Sequence, residues 1–557
     1  MNMRLITVFA AIAVVLLALD AAGADGPRTG FQEWNAWREE IHLPADVVFV
    51  YSDEAARIKS WADRGFETWV MLGASWLDKQ TDIVAQHPEI KQTISDGTPF
   101  EMIPGRAWVV PVQPWIDWFN RRVDKALDAG ARGILPEEPE FFASTGYSES
   151  FKTAWRDHYG EPWRAPHESL ENNWRAGRLK AYLFEEFFRQ VCGHVKSRDA
   201  SVACLVPAHS NPNYTDWKII APHHAFFALE DTDGFIAQVW TGTAKHAHML
   251  GGEPFASAFH FAFLEYSYFA ELVRGTRKQA WFLTDPVEDA KGAAWSDLEA
   301  WYEDTLAAAL MHPSVNRYEI APWPSRIFIS SDLYGDGPVP ESYKEQLFTI
   351  WKAQREIPEG GTWAGPVTTQ IGFLTADSAM WQVGQGMNRF SGHIAPMLAA
   401  VRSGIPARVL PAERFAEPDY PPADIKLIVA SFDAWKPVSP EIVQGMARWV
   451  KEGGVLLFLG GADEYDAMPL SWWRKQGMET PAAALLDALG LEMQRCKSWM
   501  PKVVPGLDTA AMISTQTRIL DPAADAPFAL SASGPLQATL PLTACAVQDA
   551  RVLFSNG

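Results

Sequence analysis

Three carboxylates stand within four positions in Pro136-Glu137-Glu138-Pro139-Glu140, directly after an apolar run. Placing them together is costly, because mutual repulsion and partial burial raise the pKa of at least one. A carboxyl that keeps its proton near neutral pH is what a general acid requires. A second candidate, Asp285, ends the apolar run Trp281-Phe282-Leu283-Thr284, and a third, Glu319, alternates with apolar neighbours between Tyr318 and Ile320. Two carboxyls across a cleft are the minimal equipment for cleaving a glycosidic bond: one protonates the leaving oxygen, the other attacks the anomeric carbon or activates water. Plainer readings stand beside these. The 137–140 group also reads as a solvated acidic turn, Asp285 as an Asp-Pro turn or helix cap, and Glu319 as an interior ion pair with Arg317 or Arg326.

Such residues need elements that end side by side. From residue 46 onward, short apolar stretches alternate with amphipathic helices, the signature of parallel βα units. Strands are predicted over 46–51, 68–73, 108–113, 133–138, 201–207, 234–240, 279–284 and 315–320. A long helix over 173–196 carries Leu179, Leu183, Phe187 and Val191 at a four-residue spacing. This α/β pattern fits a (β/α)8 barrel over 25–362, whose reactive residues sit at the carboxyl ends of the strands. The catalytic candidates are then Glu138, Asp285, Glu319, Glu137 and Glu140. Trp76, Trp115, Trp240 and Trp323 fall at strand ends as candidate sugar platforms; each alone reads more as core than as platform, while four together point to at least one platform. His209 with Asn211, after the fifth strand, reads as hydroxyl recognition. A second, doubly wound α/β unit is expected over 366–490, and a β-rich segment over 491–557. The end at Gly557, just after Val552-Leu553-Phe554, reads either as a cut chain or as a strand closing onto an earlier sheet.

Composition narrows the partner. Lys plus Arg is 48 and Asp plus Glu is 68 in 557 residues, a net charge of −20, which disfavours a nucleic acid. Tryptophan is abundant, 25 residues, which suits flat, weakly polar ligands such as sugars but also larger cores. Residues 1–24 read as a secretory leader: Arg4, an apolar run over 5–19, then Ala22-Gly23-Ala24 as a cleavage site. The expected location is therefore secreted or periplasmic, with no membrane association once the leader is removed. Four cysteines allow local pairs Cys192–Cys204 and Cys496–Cys545, or four buried thiols. Six histidines fall between His209 and His260, and Lys245-His246-Ala247-His248 contains an H-x-H pair that opens a metal-dependent alternative. No matched ligand spacing accompanies it, so no metal and no cofactor is expected. There is no phosphate-binding G-x-x-x-x-G-K-[ST] loop and no G-x-S-x-G elbow.

At these residues the chain resembles the clan A glycoside hydrolases, nearest to the family 42 β-galactosidases. His87-Pro88-Glu89-Ile90 followed by Asp96-Gly97 is similar to the family's segment after its second strand. Pro136-Glu137-Glu138, with Tyr147-Ser148-Glu149-Ser150-Phe151 and Tyr159-Gly160 beyond it, resembles the family's fourth strand and following helix. Ala280-Trp281-Phe282-Leu283-Thr284-Asp285 resembles its seventh strand. The resemblance implies Glu138 as acid/base, Asp285 as nucleophile and a carbohydrate substrate. Trp449-Val450-Lys451-Glu452-Gly453-Gly454-Val455 resembles the family's amidotransferase-like trimerisation domain, and a homo-oligomer is implied only by this likeness. No cysteine lies between 366 and 490, which excludes amidotransferase chemistry there. Two departures matter. Glu137 replaces the family's asparagine, and Asp285 replaces its glutamate, one methylene shorter. A wider carboxyl gap moves from the about 5–5.5 Å of retaining enzymes toward the about 6.5–9.5 Å of inverting ones, and Glu319 is the alternative second carboxylate. A non-catalytic carbohydrate-binding barrel is the competing reading.

Overall fold

The computed structural model describes residues 26–491 apart from short interior segments, together with 518–519 and 554–555. The leader-like segment, Cys496, Cys545 and His246 lie outside the described residues. Eight parallel strands close into a barrel: β1 (Thr29–Glu33), β2 (Val47–Val50), β3 (Glu67–Gly73), β4 (Gly133–Glu137), β5 (Ala203–Ala208), β6 (Gly234–Ala237), β7 (Gln279–Leu283) and β8 (Tyr318–Pro322). β1 pairs with both β2 and β8 and so shuts the ring.

Two departures from the expected strand list compensate each other. Residues 108–113 are not a barrel strand. Arg106–Trp108 pairs antiparallel with Trp76–Asp78 in a ribbon inserted after β3, and the chain then enters helix α1 (Gln113–Asp128). Pro111 and Pro114 supply no amide hydrogen, which a central strand needs. The barrel instead gains β1, whose Thr29-Gly30-Phe31-Gln32-Glu33 lacks a β-branched run yet is buried throughout. The fourth to eighth strands therefore keep their expected numbers.

Side chains alternate along each strand, one set toward the helices and one toward the barrel axis. The axial core set is Val47, Phe49, Trp69, Met71, Leu135, Leu205, Ile236 and Trp281. Trp69 lies 5.7 Å from Phe49 and meets Trp281 edge-on at 5.5 Å. Rings of this size fit because glycine faces them. A methyl group at Gly133 would lie 2.4 Å from the Trp69 ring, and one at Gly30 would lie 2.5 Å from Phe49.

Helix α2 (Leu170–Arg198) buries Leu179, Leu183, Phe187 and Val191, the stripe that its spacing predicts. Ser169 caps it by accepting the Asn172 amide hydrogen at 3.1 Å. A disulfide joins its Cys192 to Cys204 of β5. Helix α3 (Asn211–Trp217) follows β5, and α4 (Ala258–Val273) precedes β7. Among the described residues, no helix is long and apolar enough to cross a membrane.

The second unit is a parallel sheet in the order β10 (Arg408–Pro411), β9 (Ile371–Thr375), β11 (Leu427–Ala430), β12 (Val455–Phe458). It is clamped to α4. Arg408 donates from Nε and Nη2 to the two oxygens of Glu271 at 2.9 and 2.6 Å, with both side chains almost wholly buried. Burial alone would raise the Glu271 pKa, but Arg274 and Arg408 outweigh it and hold it below the usual carboxyl value. Arg414 Nη1 adds bonds to the carbonyls of Glu271, Leu272 and Arg274. Removing Arg408 leaves the buried Glu271 with Arg274 as its remaining counterion, so Arg408→Met should cost about 3 kcal/mol, read from denaturant unfolding. Adding Glu271→Met to that variant should recover part of the loss.

Candidate active site

The strand alternation that fills the barrel floor also builds its mouth. Two residues beyond Phe49, Leu135 and Ile236 stand Tyr51, Glu137 and Gln238. Gln32 joins them from β1. Glu137 is almost fully buried, and its Oε1 accepts from Gln238 Nε2 at 2.8 Å and Gln32 Nε2 at 3.3 Å. Burial first, and the neighbouring Glu138 charge second, push the Glu137 carboxyl up to about 8, against the pull of Tyr51, Gln238 and Gln32. Burial thus favours the protonated form of Glu137.

Glu138 leaves the strand in a left-handed conformation, φ 50°. Its amide donates to the Pro207 carbonyl at 3.0 Å and its carbonyl accepts from Ser75 Oγ at 2.6 Å. These bonds hold a backbone shape that a non-glycine residue adopts only at a cost. The turn leaves the side chain 21% exposed, with Oε2 accepting from Trp76 Nε1 at 3.0 Å and Oε1 lying 3.7 Å from His209 Nε2. Trp76 therefore grips a carboxylate, where the sequence suggested a sugar platform. Its ring lies 5.8 Å from Tyr51 at 17° and is covered by the Arg106 guanidinium at 4.2 Å. Trp34 and Trp323 extend the aromatic wall, 4.1 Å apart, and each meets Tyr51 at close to 5 Å. Trp34 and Trp323 are accessible enough to meet a ligand face.

Other candidates fall elsewhere. Glu140 is buried beside Trp108, whose Nε1 donates to it at 3.0 Å; burial and then the Glu138 charge raise its pKa well above the usual value. Asp285 has no exposed surface and accepts from Arg326 Nη2 at 2.8 Å and the Val287 amide at 3.0 Å. Glu319 is equally buried, deep in β8. Trp240 is partly exposed, with the Arg326 guanidinium 5.9 Å from its ring.

Two corrections are needed. Trp115 is no platform: it is fully buried in α1, stacks on Trp118 at 4.9 Å and donates to the Ala74 carbonyl. Asn211 recognises no hydroxyl of a ligand. Its Nδ2 donates to the Ala376 carbonyl at 2.9 Å and its Oδ1 accepts from Thr375 Oγ1 at 2.6 Å, so both ends of its amide are used against the second unit. His209 does reach the mouth, while its carbonyl accepts from His223, whose ring is kept neutral by burial with a pKa of about 4. Among the described residues, no group of three His, Cys, Asp or Glu side chains is placed to hold a metal ion.

One positioning group had no sequence signal. Lys180 of α2 is buried, and its ammonium donates to the carbonyls of Phe142, Ala143 and Thr145 at 2.9–3.0 Å. It fixes the segment that follows Glu140. Desolvation pulls its pKa down to about 7.

No family model matches the chain, and no curated protein matches it in sequence. Solved structures do match. A β-galactosidase from the haloarchaeon Halorubrum lacusprofundi superimposes with a TM-score of 0.60 at 13% identity, covering 85% of this chain and 78% of that one. For the β-galactosidase of Marinomonas ef1 the values are 0.53 and 11%, covering 85% and 81%. A GH42 β-galactosidase from G. stearothermophilus gives 0.52 and 11%, covering 82% and 72%. The chain has the fold of these β-galactosidases.

The corrected role of Asn211 is testable. Asn211→Ala removes the Asn211 partner of the Ala376 carbonyl and of the Thr375 hydroxyl, and should lower stability by about 2 kcal/mol in denaturant unfolding. Affinity for any saccharide that binds the mouth should be unchanged.

Proposed function

We propose that this chain is an exported glycoside hydrolase whose working carboxyls are Glu138 and Glu137. One observation carries the reading: two carboxyls of unlike surroundings lie at the end of β4 beside a wall of Trp34, Tyr51 and Trp323. Carboxyls set apart in this way divide into acid and base. Glu137 keeps a proton to about pH 8 and serves as general acid. Glu138 is open to solvent, is oriented by Trp76, and serves as the base or nucleophile. Asp285 is the family-like alternative to Glu137, but it has no exposed surface at all and is engaged by Arg326. The fold of the β-galactosidases makes β-galactosides the first substrates to try. Export is supported by the leader-like start and by the Cys192–Cys204 disulfide, a bond that persists in oxidising compartments.

A panel of chromogenic glycosides, β-galactosides first, tests this. Glu138→Gln should lower kcat by about 10²–10⁴-fold while leaving the melting temperature unchanged. Full turnover in that variant would remove Glu138 from the chemistry. Since the acid must be protonated, wild-type kcat should fall as pH rises through about 8, and Glu137→Gln should abolish that limb together with most of the rate. Trp76→Phe keeps the ring but loses the bond to Glu138, so kcat should drop about tenfold, in keeping with a lost hydrogen bond to a charged group, with little change in KM.

The burial of Asp285 also favours a second reading, a barrel that binds sugars without cleaving them. Saccharide binding with no hydrolysis across the panel would establish it.

A further inference from the structure

Glu319 is the second residue of β8 and has no exposed surface. Among the described residues neither of its carboxyl oxygens has a hydrogen-bond donor. The charged groups that face it are Glu137 from β4 and Asp285 from beyond β7, both acids. The nearby cation, Arg326, is engaged by Asp285 and by the Pro322 carbonyl. Glu319's polar neighbour is Gln32, on the adjoining strand β1. That amide uses its Nε2 to donate to Glu137, while its own Oε1 is buried without a donor. Three buried acceptor oxygens, both of Glu319 and that of Gln32, thus lie in this site with no well-formed hydrogen bond to any of them. A carboxylate there would place a buried charge beside two further acids.

A single proton resolves all of this. We propose that Glu319 is a positioning residue, a permanently neutral acid whose O–H donates to Gln32 Oε1 and so locks the Gln32 amide with its N–H toward Glu137. Burial, with Glu137 and Asp285 adding to it, outweighs the opposing pull of the Gln32 amide and raises the Glu319 pKa well above the usual carboxyl range, in keeping with that state. The lock has a direction. If the Gln32 amide flipped, its oxygen would face Glu137 Oε1, an acceptor against an acceptor, and Glu137 would surrender its proton less readily. With the amide held, Gln32 joins Gln238 and Tyr51 in supporting the ionised form of Glu137, against the Glu138 charge; Arg106 lies beyond Tyr51. Glu319 would therefore tune the acid without touching substrate. That consequence rests on Glu137 being the acid, whereas the proton on Glu319 does not.

Two measurements separate the claims. A group neutral in the fold and ionised in the unfolded chain weakens the fold progressively as pH rises above its unfolded pKa, roughly 4.3 for glutamate. Glu319→Gln keeps a donor for Gln32 and cannot ionise. Its melting temperature relative to wild type should therefore climb by a few degrees between pH 5 and pH 8. A constant difference, or a drop at pH 8, would show that Glu319 is ionised in the fold and would overturn the proposal whatever the enzyme does. Glu319→Met, of similar size but without a donor, tests the lock. The alkaline limb of kcat should stay in place in Glu319→Gln and move to higher pH in Glu319→Met, with KM unchanged in both. Equal shifts in the two variants, or none in either, would overturn the positioning role. Absence of any turnover in wild type would end the catalytic reading alone, and the melting data would still decide the proton.

Discussion

Inside the barrel, Phe49 and Trp69 occupy the space above Gly30 and Gly133, with Trp281 edge-on to both rings, and this fit of large against absent side chains governs what lies above it. The side chains that form this floor are apolar. The next inward positions are two residues further along each strand, and polar side chains collect there: Gln32, Tyr51, Glu137 and Gln238. The site is thus a layer whose height is set by the ring stack beneath it. Close packing of this kind yields little, so the layer is held at a fixed depth rather than floating on a soft core.

The same chain treats buried charge in two opposite ways. At the domain joint, Glu271 keeps its charge because Arg408 and Arg274 surround it. Around the barrel mouth, Glu140 and Glu319 each neighbour Glu137, and burial drives all three toward their neutral forms. Ion pairing gives a rigid joint. Neutralisation gives a store of protons close to an opening, which is useful only if something there is to be protonated. Asp285 with Arg326 follows the first pattern although it sits near the second.

Much of the architecture was legible in the sequence. Alternating apolar runs gave the eightfold barrel and the second parallel sheet, and the spacing in α2 gave its buried stripe. β1 was not legible, because Gly30 and Gln32 are poor strand formers that become strand residues only when Phe49 needs the space and Glu137 needs the amide. The clustering of Glu137, Glu138 and Glu140 was visible, but which of them keeps a proton was not, since that depends on β1, β2 and β6 arriving from distant parts of the chain. Tyr51 and Gln238 were within reach: each stands two residues past an axial apolar residue. Asn211 and Trp115 misled because both stand close to strand ends, while their partners, Thr375, Ala376 and Ala74, appear only once the chain has folded. Lys180 had no signal at all, for a lysine in a helical stripe reads as surface.

The left-handed turn at Glu138 has a consequence for how this protein can change over time. A side chain in that conformation costs of order 1–3 kcal/mol, and glycine or asparagine would relieve much of it. The residue proposed to do the work is therefore also one whose replacement by glycine or asparagine relieves backbone strain. Selection for durability alone would remove it, so a lineage that kept the barrel but no longer used the chemistry would drift toward a more stable, inert form at this one position.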